Sequence, residues 1–264
     1  MIRRQADLIA CWLAVGFIHG VMNTDNMSIA GETIDYGPCA FMDAYHPARV
    51  YSSIDHGGRY AYGNQPQIAH WNLVRLAECL LPLLDDDQGK AMGEARTALD
   101  AFPVRFEAIR LERFRAKLGL AAALHGDNDL IADLLQIMGE SNADITNGFR
   151  ALCDALVGSD AGFLAEFGDS RAAPEWLRRW RLRLQQEPIE ADLRSSRMRR
   201  VNPAVIPRNH RVESVLAAAL EQDLGPLDKL LQVLASPWDD DAGNLPYRSP
   251  PKPHEVVHQT FCGT

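Results

Sequence analysis

Apolar residues recur at helical spacing along most of the chain, interrupted by one irregular stretch and a proline-rich tail. Leu8, Ile9, Trp12, Leu13, Gly16 and Phe17 fall on one face of a helix predicted over residues 3–18. Between Met27 and Ile34 the pattern shortens to that of a hairpin turned by Gly31, with Asn26 and Asp35 at its two ends. Residues 36–65 lose the period and are rich in Gly, Pro and aromatics, which predicts an irregular segment. At Pro66, a residue suited to a first helical position, the helical pattern returns. Ile68, Trp71 and Leu76 build an apolar face ending near Pro82. Further helices are predicted at 88–101, 104–118, 128–139, 145–157, 174–187, 211–222 and 226–235, the fourth helix from Pro66 being an ordinary capped amphipathic one that opens on Asp127-Asn-Asp. The tail from Ser236 holds five prolines and little periodic apolar content, so extended wrapping or disorder is expected there.

Composition narrows the picture without deciding it. With 264 residues, 47% of them hydrophobic, the chain suffices for one large or two small domains with a buried core. Its 35 acidic residues outweigh 27 basic ones, a net charge of −8 that argues against nonspecific binding to nucleic acid or a membrane surface. The basic run Arg194 to Arg200 is the exception, and it reads as a solvated helix face. The five cysteines (Cys11, Cys39, Cys79, Cys153 and Cys262) are odd in number and lack Cys-x-x-Cys spacing, which suggests a reducing cytoplasm and no zinc site. Leu8 to Ile18 is apolar but too short to span a bilayer, and no signal-peptide architecture is evident.

The chemistry concentrates in His19-Gly-Val-Met-Asn-Thr-Asp-Asn26 and Thr33-Ile-Asp-Tyr-Gly-Pro38. These put Asp25, Asn26 and Asp35 within eleven residues, an oxygen-rich set suited to Mg²⁺ or Mn²⁺ carrying phosphate. The same residue types are ordinary turn formers, so spacing alone leaves a plain turn open. The order is nevertheless that of protein kinases: a metal-binding Asn, a short apolar strand, then Asp-aromatic-Gly. His19 stands seven residues before Asn26, where a kinase has the His of its catalytic loop. Val21 stands where the catalytic Asp should be, which disfavours an ordinary kinase and leaves Asp25 as the candidate base. A hydrolase using Asp25 and Asp35 lacks a third strong ligand. His56-Gly-Gly58 reads as a turn, and His254 with His258 sits in a tail too proline-rich to align them on a helix.

The runs Gly16–Ile29, Thr33–Pro38 and Phe41-Met-Asp-Ala-Tyr45 strongly resemble the selenoprotein O family, SelO or YdiU. So do Asp55–Tyr60, Gly63–Gln67, Trp71-Asn72-Leu73, Asn202-Pro203, Arg208-Asn209 and the terminal Thr260-Phe-Cys-Gly-Thr264. The resemblance implies a mainly α, protein-kinase-like C-lobe over residues 1–235, with a short β-hairpin at the catalytic loop and a Pro-rich tail over 236–264. It also implies an enzyme that transfers AMP from ATP to Ser, Thr or Tyr hydroxyls of proteins, UMP transfer being a further possibility. Asp25 then matches the family's proton acceptor, Asn26 a metal ligand, and Asp35 a metal ligand that also contacts nucleotide.

The first lobe expected of such an enzyme, with its Gly-rich loop, Lys and pairing Glu, finds no counterpart before Gly16. The chain is therefore expected to correspond to the second half of a SelO protein, weak or inactive alone, as a remnant, a binding module or one half of a split enzyme completed by a separate N-lobe. Some relatives pair a terminal Cys with a loop Cys. Tyr51 holds the matching loop position here, and Cys262 is expected to be a reduced thiol, with Cys39 a less favoured partner.

Overall fold

Helix α1 (Ile2–Val15) buries Ile9, Trp12 and Leu13, the face its spacing predicts. It stops at Gly16, whose left-handed backbone (φ 73°) lets its N–H reach back to the Leu13 carbonyl. Strand β1 (Phe17–Ile18) follows at once and pairs with β2 (Ala40–Phe41). This pairing was not anticipated. The hairpin expected over 27–34 is instead a single antiparallel bridge, Met27 to Thr33, turned at Gly31 (φ 76°). A Cβ on Gly31 would sit 2.5 Å from that of Arg4, so only glycine fits the turn.

The computed structural model describes residues 1–261, in which the chain forms two compact units. The first takes residues 1–40, 47–113 and the chain from Gln259; the second takes 41–46 and 114–258. In the first unit α1 packs on α2 (Gln65–Leu84), which opens on Pro66 as predicted and runs past Pro82. Helix α3 (Gln88–Lys117) is one 30-residue helix where two were predicted, and Pro103 lies inside it. Phe102 and Phe106, buried on either side of Pro103, stack 6.1 Å apart, and their packing offsets the lost backbone hydrogen bond.

The second unit is helical: α4 (Asp127–Ser141), α5 (Ile145–Ala155), α6 (Ala161–Ala165), α7 (Ala172–Leu184), α8 (Ala191–Arg199), α9 (Asn209–Leu220), α10 (Gly225–Leu234) and α11 (Leu245–Arg248). Helix α4 packs on α7, α5 on α6 and α8, and α9 on α10. Trp176 and Trp180 stack 6.1 Å apart in its core, each indole N–H donating to a carbonyl, of Leu130 and Leu118. Asp127 is not the surface cap expected of α4. It is buried and pairs with Arg183 at 2.6 Å.

The basic run around α8 is also not simply a solvated face. Arg194 is 3% exposed and donates to the carbonyls of Gly119, Leu184 and Glu187, closing chain ends that would otherwise be unpaired. Arg208 lies between Asp144, at 2.7 Å, and Asp43, and also reaches Asn147. Asn209 gives and takes a hydrogen bond with the backbone of Phe41, fixing the start of the Phe41–Tyr45 motif. The tail is tied down rather than loose: the Pro237 carbonyl accepts from Ala204, Asp240 pairs with buried Arg150, and Thr260 bonds the Tyr51 backbone. Cys262 lies outside the described residues. Among the described residues, no helix is long and apolar enough to cross a membrane.

Candidate functional site

The loop leaving β1 is held almost entirely through its backbone. Gln65, fully buried at the start of α2, accepts the His19 N–H at 3.0 Å and donates to the Phe17 carbonyl at 3.0 Å. Two turns further along the same helix, Asn72 donates to the Met22 carbonyl at 2.9 Å. Gly20 has φ 85°, and a Cβ there would stand 2.8 Å from the Pro38 carbonyl oxygen. Residues 17–22 are thereby fixed before the chain turns out to the surface at Asn23.

His19 closes the loop from the other side. Its Nε2 lies 2.8 Å from the Ile34 carbonyl, and its Nδ1 receives the Val21 N–H at 3.4 Å. The pair of contacts sets the tautomer: Nε2 carries the proton. Burial lowers the His19 pKa, with the Ile34 carbonyl and the Asp35 charge acting in the opposite direction, so the ring stays neutral where an ordinary histidine is already partly charged. Trp12, whose ring centroid is 5.3 Å from that of His19, donates its indole N–H to Thr33 at 2.9 Å.

These ties, with the Met27–Thr33 bridge, bring the segment carrying Asp25 and Asn26 and the segment carrying Asp35 to one open end of the turn. Asp25 sits in a short 3₁₀ turn, Thr24–Asn26, and is exposed. Asn26 donates its amide nitrogen to the Val21 carbonyl at 3.1 Å, which turns its Oδ1 away from that contact and leaves it as an acceptor. Asp35 is exposed in a left-handed conformation (φ 52°), one carboxylate oxygen facing the Gly37 N–H at 3.4 Å. Two carboxylates and an amide oxygen flanking one bridged turn are the donor types that a hard divalent ion takes. Among the described residues no group of three or more His, Cys, Asp or Glu gathers that could hold a metal.

Gln65, Asn72, Tyr60 and Trp12 were not singled out for roles by sequence reasoning. Tyr60 donates its hydroxyl to Asn23 at 2.6 Å, and the Asp55 carboxylate accepts the N–H groups of Arg59 and Tyr60 at 2.8 Å each. The available signal was polarity in the wrong place: Gln65 and Asn72 sit seven residues apart on the otherwise apolar face of α2. Cys39 donates to the Tyr36 carbonyl, and burial pushes its thiol up to about 11, away from thiolate chemistry.

The family model described as "Protein adenylyltransferase SelO" matches residues 1–235. The chain is 56% identical over 266 residues to "Protein nucleotidyltransferase YdiU" of Rhodopseudomonas palustris strain BisB18, covering 100% of this chain and 54% of that relative. The relative of the same name from Rhizobium etli strain CIAT 652 is 55% identical over 265 residues, covering 99% and 53%. A third, from Bradyrhizobium sp. strain BTAi1, is 55% identical over 266 residues, covering 100% and 54%. The chain spans about half the length of the curated relatives it matches. By a family match across most of its residues and by identity above one half along its length, the chain belongs to the SelO family.

Proposed function

We propose that this chain is the catalytic-loop half, a kinase-like C-lobe, of a nucleotidyltransferase that moves AMP from ATP onto a Ser, Thr or Tyr hydroxyl of a protein. The observation that carries the reading is that Asp25, Asn26 and Asp35 flank one bridged turn beside a loop buttressed by His19, Gln65 and Asn72, in a member of the SelO family. In the reaction the acceptor oxygen forms a bond to the α-phosphorus as the bond from that phosphorus to the bridging oxygen breaks, and pyrophosphate leaves. Asp25 orients the hydroxyl and takes its proton. Asn26 and Asp35 would hold Mg²⁺ or Mn²⁺, and Asp35 would also face the nucleotide. The ion, when bound, offsets the negative charge of the phosphates. The exposure of Asp25 and Asp35 supports this assignment, because both must be reached by substrate. UMP transfer uses the same chemistry. The compartment assigned with it is the cytoplasm.

A second reading follows from coverage of about half of each relative. Taken by themselves, these residues hold the triphosphate weakly without the contacts that the other half of a relative would supply, each charge-assisted one being worth about 1.5–3 kcal/mol. Incubation with ATP labelled at the α-phosphate, with and without the N-terminal half of a relative, tests both readings. Label retained on protein and lost in Asp35→Ala supports transfer. Label absent under both conditions, with no nucleotide binding, excludes it.

A further inference from the structure

Arg59, Trp71 and Arg75 form a stacked group on the surface of the first unit. The Arg59 guanidinium lies 4.8 Å from the Trp71 ring centroid and 5.8 Å from that of Tyr60, while the Arg75 guanidinium lies 5.2 Å from Trp71. The indole is 41% exposed. Arg75 pairs with Glu78 at 2.8 Å, but among the described residues no carboxylate pairs with Arg59. The backbone beneath it is rigid, because Asp55 caps the N–H groups of Arg59 and Tyr60. Tyr60 in turn bonds Asn23, two residues from Asp25. A positive, planar, pre-ordered donor is therefore fixed beside the candidate catalytic loop, on a chain whose net charge is −8.

We propose that Arg59, supported by Trp71 and Arg75, docks an acidic side chain of the protein acceptor close to the hydroxyl that is modified. This rests on the transfer reading for its purpose, though not for the binding event. A guanidinium already laid on an aromatic ring loses little freedom on forming a two-pronged contact with a carboxylate. The exposed part of Trp71 offers apolar contact to the residue beside that carboxylate. The net charge of −8 on the chain disfavours long polyanions, so a short acidic peptide segment fits better than a nucleic acid.

The test is fluorescence anisotropy of a labelled serine peptide flanked by Glu, against its Gln counterpart, at low salt and without metal or nucleotide. The wild-type chain is expected to bind the Glu peptide about tenfold tighter than the Gln peptide. Arg59→Ala should remove that preference, and Arg59→Lys should restore only part of it, with unchanged circular dichroism in both. Equal binding of the two peptides, no binding at millimolar peptide, or retention of the preference in Arg59→Ala overturns the proposal. So does an oligonucleotide that competes as well as the Glu peptide. If the peptide preference depends on Arg59 while no nucleotide is ever transferred, docking stands and the catalytic reading falls. If transfer occurs and is indifferent to Arg59 and to the flanking Glu, the converse holds.

Discussion

Asn72 donates its side-chain amide to the Met22 carbonyl at 2.9 Å, joining the middle of α2 to the loop that leads to Asp25. Asn72→Leu would leave that buried carbonyl without a donor, which costs about 1–3 kcal/mol. We expect a lower melting temperature, with amide exchange rising first over residues 19–26. Unchanged exchange in that loop would mean Asn72 does not hold it.

Asp35 separates stability from chemistry. Its left-handed backbone is tolerated by Asp and free for Gly, but costs other residues about 1–2 kcal/mol. Asp35→Gly should therefore melt above Asp35→Ala, while both lose Mn²⁺ binding by electron paramagnetic resonance. If either variant binds Mn²⁺ as wild type does, Asp35 is not a ligand.

Arg208 pairs with the buried carboxylate of Asp144 and with the half-buried one of Asp43. Arg208→Met would leave the buried Asp144 charge without its guanidinium, a loss of about 3–5 kcal/mol. Chemical denaturation should show it, and limited proteolysis should find residues 41–46 newly accessible.

Lys117 gives a pH-dependent outcome. It is 3% exposed, its ammonium 4.3 Å from the Phe149 ring centroid, and burial lowers its pKa to about 7. Between about pH 7 and 10.5 the unfolded chain binds the proton and the folded chain does not, so this residue makes stability rise with pH across that window. Lys117→Met should stabilise the protein by about 1–4 kcal/mol near pH 6, with the gain shrinking toward pH 10. Melting curves at the two pH values check it.

The parts legible in the sequence were those set by local order. Gly31 marks the turn between Met27 and Thr33, and the period of α1 and the start of α2 at Pro66 follow from side-chain spacing. What escaped was decided by distant partners. Pro103 looked like a break because nothing nearby shows that Phe102 and Phe106 will be buried around it. Arg194 looked solvated because the carbonyls it caps include Gly119, 75 residues away. Gln65 and Asn72 are unremarkable polar residues until the backbone of 17–22 is laid beside them.

The two units are interleaved in sequence: a six-residue stretch, Phe41–His46, counts with the later one, and the chain from Gln259 counts with the earlier one. Ser52 pairs with Thr260, so a contact within the earlier unit joins residues that lie far apart in the sequence. Neither unit can be excised as one uninterrupted fragment, and closure of the piece bearing Asp25 and Asp35 depends on pairings between distant stretches of chain, which form slowly compared with local ones.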